Sequence, residues 1–98
     1  MYYTLTNDFQ AIEVKDVTVW GRVHSRCPIR VLEQTYVGED KVSTVFLGLV
    51  IQPGKGHPLL WETMIFGGKH DSFQRRYETA YEAKLGHDVA AGMVRSDS

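Results

Sequence analysis

KVSTVFLGLVIQPGKGHPLLWETMIFGG, residues Lys41 to Gly68, places two long apolar runs on either side of a Gly/Pro-rich connector. It reads as the central hairpin of a small sheet. Within Ser43 to Ile51 the apolar residues do not alternate with polar ones. Val45, Leu47, Leu49 and Ile51 fall on one side of an extended strand, and Phe46, Gly48 and Val50 on the other. A strand of that kind expects cover on both faces.

Working outward, the N-terminal stretch Tyr2 to Thr6 is aromatic and β-branched. Asn7-Asp8 is a turn signal before the short extended segment Ala11 to Val14, so the two form a first hairpin. Asp16 to Ser25 carries Val17, Trp20 and His24 on one helical stripe behind a capping aspartate, although Val17, Thr18 and Val19 also suit a strand. The reading taken is a short helix, ended by Arg26-Cys27-Pro28 because the residue before proline avoids helical geometry. Ile29 to Val37 is expected as a strand, and Gly38 to Lys41 as the turn into a long strand over Val42 to Ile51. Gln52 to Pro58 is loop chemistry, and Leu59 to Phe66 resumes the sheet.

Gly67 to Arg76 is polar and leads to the clearest helix signal. Thr79 with Glu82 three residues on matches a capping box, and Tyr81, Leu85, Val89, Gly92 and Met93 follow at helical spacing. That stripe is expected against the sheet, with Arg95 to Ser98 as a frayed tail. The fold class is therefore α+β: one small antiparallel sheet of about five strands, with the C-terminal helix and the short helix near 16–25 packed on one face. The second face would be apolar and uncovered within the chain. A second subunit is the expected cover, burying apolar area worth about 25 cal/mol per Å2.

Ninety-eight residues with 43% hydrophobic content form a single domain, 1–98, able to fold without staples. Eleven basic against twelve acidic residues give a net charge of -1, which argues against bulk nucleic-acid or anionic-membrane binding. The single cysteine, Cys27, excludes an internal disulfide and suits a reducing compartment. No signal region or bilayer-length apolar run is present, so a cytoplasmic location is expected.

Each chemistry-bearing cluster has a plain structural alternative. Pro53-Gly54-Lys55-Gly56-His57 could cradle a phosphate on backbone amides, but it lacks P-loop spacing and the terminal Lys-Ser/Thr, and a hairpin connector is the commoner explanation of such a loop. Lys69, His70, Arg75 and Arg76, with Phe73 and Tyr77 nearby, combine charge and stacking as a nucleotide-sized ligand requires. They equally suit a solvated loop whose arginines pair with Asp71, Glu78 or Glu82.

Glu62, set between Trp61 and Met64, needs a partner if buried, and Arg75 or Arg76 is within reach in sequence. His24, His57, His70 and His87 lack metal-ligand spacing, and His87 is expected to pack or hydrogen-bond against the sheet. No serine lies in a GxSxG elbow, and no triad can be assembled around Cys27. Catalysis, a metal and a cofactor are not expected.

VSTVFLGL at 42–49, PLLWETMIFGG at 58–68, RYETAYEA at 76–83 and Gly86-His87, with MYYTL at the start, resemble a family of small, mostly uncharacterised proteins of tailed bacteriophages and prophages. The pattern spans most of the chain. Relatives tend to carry an Asp-His pair and a Phe-Gly loop where Val50-Ile51 and Gln52-Pro53 stand here, and a tryptophan where Ala80-Tyr81 stands. A role of that Asp-His pair is therefore not carried over.

The resemblance implies an anti-defence protein acting in the host cytoplasm. The leading expectation is a sponge that sequesters a nucleotide immune signal, a cyclic ADP-ribose isomer or cyclic oligonucleotide, between subunits of a homo-oligomer. Lys55, His57, Arg75 and Arg76 would then hold phosphates, with Tyr77 or Trp61 stacking on a base. The alternative is an anti-CRISPR-like or other inhibitor that binds a host defence protein through its surface. A structural or accessory phage protein is the third reading.

Overall fold

The structure is a computed structural model that describes residues 1–50 and 57–96. The chain runs β1 (Tyr2–Leu5), β2 (Ala11–Val14), α1 (Val17–Ser25), a single helical turn at Pro28–Arg30, β3 (Val31–Val37), β4 (Asp40–Phe46), β5 (Trp61–Phe66), β6 (Gln74–Tyr77) and α2 (Ala80–Ser96). This is an α+β fold. The strands divide into a two-stranded sheet, β1-β2, and a four-stranded antiparallel sheet in the order β3-β4-β5-β6.

The division into two sheets has a local cause at Gly48. The run expected to continue as strand to Ile51 leaves the ladder after Phe46, and Gly48 takes a φ of 71°. A Cβ there would stand 2.9 Å from both His24 Nδ1 and Tyr3 O, so only glycine fits beneath α1 and β1. The chain then crosses to the N-terminal hairpin. Tyr3 N donates to Gly48 O at 2.8 Å, and Val50 N to Met1 O at 2.9 Å. One long strand has become the strap between two sheets; Ile51 lies outside the described residues.

Local signals explain both helices. Asp16 caps α1, accepting from Thr18 N at 2.9 Å and Val19 N at 3.2 Å. Trp20 and His24, one turn apart, stack with centroids 4.9 Å apart, and the indole N–H donates to Tyr3 O at 2.9 Å. At α2, Glu82 N donates to Thr79 Oγ1 at 3.1 Å, while the Thr79 hydroxyl donates to Glu82 Oε1 at 3.1 Å. The expected capping pair is present, with the carboxylate taking the hydroxyl rather than a backbone amide.

The face that α2 turns to the sheet differs from expectation. Ala83, Gly86, His87, Ala90, Ala91 and Val94 are buried, whereas Tyr81, Leu85 and Val89 are 74%, 50% and 59% exposed. Complementary volume is the reason. The sheet already supplies Val42, Phe46, Trp61, Ile65 and Tyr77 to the core, so the helix approaches mostly with small residues, His87 and Val94 being its larger buried members. The Tyr77 ring lies so close that a Cβ on Gly86 would stand 2.1 Å from its hydroxyl oxygen.

Register assigns the two faces of the larger sheet. Thr35, Val42 and Ile65 share a row, as do Glu33, Thr44, Thr63 and Arg75, and then Phe46, Trp61 and Tyr77; these rows face α2. An irregularity between Val31 and Glu33 keeps Leu32 on the same side, against the Phe46 cluster. The opposite face carries the rows Tyr36, Lys41, Phe66; Gln34, Ser43, Met64, Gln74; and Val31, Val45, Glu62, Arg76. It is mixed polar and apolar rather than the apolar surface the sequence suggested, and α2 leaves it uncovered.

Candidate functional site

His87 sits at the centre of a buried polar relay. Its side chain is 1% exposed. Nδ1 lies 2.7 Å from Thr44 Oγ1, which is 2.5 Å from Thr63 Oγ1; Nε2 lies 2.9 Å from Thr35 Oγ1 and 3.1 Å from Glu33 Oε2. These partners select one tautomer. The Nε2–H donates towards Thr35 and the Glu33 carboxylate, and Nδ1 accepts from the Thr44 hydroxyl, which in turn accepts from Thr63. Lys84 joins the outer end, paired with Glu33 and 3.6 Å from Asp88.

Burial lowers the His87 pKa from its ordinary 6.5; Glu33 pulls it upward and Lys84 down. Hydroxyl, imidazole and carboxylate follow one another as in a nucleophilic triad. Thr44 and Thr63, however, are both 0% exposed beneath α2, so no substrate reaches the hydroxyl. The relay joins helix to sheet by satisfying polar groups that the core encloses.

Glu62 holds a second cluster on the opposite face. It accepts from Arg76 Nε at 3.0 Å and from Gln74 Nε2, and is 7% exposed. The partner expected for this carboxylate is thus Arg76. Its guanidinium stays about half exposed, so the carboxylate orients a cation that still faces solvent.

The residues read as a nucleotide site are dispersed. Arg75 and Arg76 point to opposite faces because adjacent strand residues alternate. Trp61 and Tyr77 are 1% and 5% exposed and fill the core, with Arg75 lying 5.6 Å from the Tyr77 ring centroid. His57 is exposed, and Lys55 lies outside the described residues.

A hollow of about 430 Å3 opens between the β1-β2 turn and the start of α2, lined in part by Asp8, Phe9, Trp61, Glu78, Thr79 and Tyr81. Its charged groups are acidic, which disfavours phosphate. Among the described residues no three of His, Cys, Asp or Glu converge to hold a metal ion.

The signal missed in the sequence is the row Tyr36, Lys41, Phe66. Tyr36 is 65% and Phe66 45% exposed, and the Lys41 ammonium lies 5.7 Å from the Phe66 ring centroid. Tyr36 and Phe66 stand 30 residues apart in the chain, and only the pairing of β3 with β4 and of β4 with β5 sets them on one row. Comparison with protein-family models, curated proteins and solved structures finds no match. No helix among the described residues is long and apolar enough to cross a membrane.

Proposed function

We propose that this chain is a non-catalytic binding protein that holds a nucleotide ligand on the uncovered face of its four-stranded sheet. The carrying observation is the row Tyr36, Lys41, Phe66, which presents two exposed rings on either side of Lys41, whose ammonium lies 5.7 Å from the Phe66 ring centroid. Strands pair at about 4.8 Å, so the backbone positions of Tyr36 and Phe66 stand about 10 Å apart across β4. Bases stack on such rings at about 1 to 3 kcal/mol each, and the flexible lysine on the strand between them can reach a linking phosphate. Arg76, held outward by Glu62 on the same face, offers a second cation. In this reading Arg76 is retained from the sequence-based site, while Tyr36 and Phe66 replace Trp61 and Tyr77 as stacking groups.

The resemblance to tailed-phage proteins directs the choice of ligand to cyclic oligonucleotides and cyclic ADP-ribose isomers, sequestered without turnover in a host cytoplasm. Titration calorimetry of the wild type against Tyr36→Ala/Phe66→Ala and Lys41→Ala tests the site. At least tenfold weaker binding in each variant is expected, and unchanged affinity overturns it.

A second reading is favoured by the composition of the same face. Met64, Tyr36, Phe66 and Arg76 are residue types enriched at protein interfaces. Under that reading the protein co-purifies with a host defence protein and ignores nucleotides.

A further inference from the structure

The stripe Tyr81, Leu85, Val89, Gly92 lies on the outer side of α2, about 180° around the helix from Ala83 and Ala90. The fold does not use it. Gly92 is the informative member, because glycine in a helix interior costs about 1 kcal/mol relative to alanine. Gly86 offsets that cost through the Tyr77 ring, whereas a Cβ on Gly92 would meet none of the described residues within 4 Å. A missing side chain at the C-terminal end of an exposed apolar stripe leaves room there for a close approach from outside the chain.

We propose that α2 pairs with α2 of a second copy in an antiparallel, two-fold symmetric contact centred between Gly86 and His87. That centre places the Tyr81 ring of each copy on Gly92 of the other and packs Leu85 against Val89 across the dyad. Two features favour a second copy over another occupant. The face is self-complementary, because one centre matches its large ring, Tyr81, to its glycine, Gly92, and also matches Leu85 to Val89. Charge is matched as well: Lys84 and Asp88 lie on the same flank, and antiparallel pairing sets Lys84 of one copy beside Asp88 of the other and opposes the two helix dipoles. The uncovered sheet face stays open in this dimer, so the contact is independent of the ligand reading.

Sedimentation equilibrium of the full chain across micromolar to submillimolar concentration tests the proposal, beside Tyr81→Glu and Leu85→Glu, with circular dichroism to confirm folding. A wild-type dimer weakened at least tenfold by either exposed substitution is expected. A wild-type monomer throughout, or a dimer that both variants leave intact, overturns it. A second measurement fixes direction. In a Cys27→Ser background, Tyr81→Cys/Gly92→Cys places its thiols about 16 Å apart within one helix, so oxidation can link them only between copies. A covalent dimer supports the antiparallel contact, and its absence in a sample that sediments as a dimer overturns that arrangement.

Discussion

His87 shows how one buried side chain ties stability to pH. Burial lowers its folded pKa from 6.5, with Glu33 from β3 opposing and Lys84 reinforcing the shift. The unfolded chain therefore binds the extra proton first as pH falls. The contribution of His87 is complete above that ordinary value and is lost as pH drops through the folded one. His24, lowered by burial and then by Arg30, adds in the same direction. Wild-type protein should lose more unfolding free energy between about pH 7.5 and about pH 5.5 than His87→Gln does. Denaturant titrations at the two values check this, and equal losses would place the dependence elsewhere. His87→Ala should cost about 3 kcal/mol, from the cavity and from the orphaned hydroxyls of Thr44 and Thr35. Tyr77 and Gly86 make a second test. Among the described residues the buried Tyr77 hydroxyl has no hydrogen-bond partner, so Tyr77→Phe should be neutral or stabilising in thermal melts. Gly86→Ala drives a methyl into that ring and should cost about 1 to 3 kcal/mol or more.

The elements differ in how much of them the sequence discloses. Caps are local, and both were legible: Asp16 before α1, and Thr79 with Glu82 at α2. Thr79→Ala should accordingly cost about 1 kcal/mol, seen as a thermal midpoint lowered by about 4 to 8 °C. Strand ends were less legible. The apolar run continues through Leu47, Leu49 and Val50, and nothing local says that Gly48 must pass beneath His24 and Tyr3. Gly48→Ala should disturb the strap between the sheets more than Gly92→Ala disturbs α2, where the space is open. Thermal melts of the two variants make that comparison, and a larger loss at Gly92 would contradict it. The buried face of α2 was misread for a long-range reason. Periodicity identifies a stripe of large apolar residues at Tyr81, Leu85 and Val89, but the core had been filled from the sheet side, and the helix meets it mostly through alanine and glycine, with His87 and Val94.

At the scale of the molecule, two surfaces remain among the described residues after the core is formed: the sheet face that α2 leaves uncovered and the outer side of α2. The candidate site was legible only in part. Glu62 and its need for a cation could be read from the strand, and Arg76 answers it. The row Tyr36, Lys41, Phe66 could not, because no spacing along one segment relates residues brought together by two successive hairpins. Alternation along β6 also separates Arg75 from Arg76, which sequence proximity had joined. Native mass spectrometry of the intact protein with a panel of cyclic di- and trinucleotides and cyclic ADP-ribose isomers tests nucleotide binding most directly. Retention of one nucleotide class by the wild type, lost in Tyr36→Ala/Phe66→Ala, is the predicted result. Bare protein across the whole panel would contradict it.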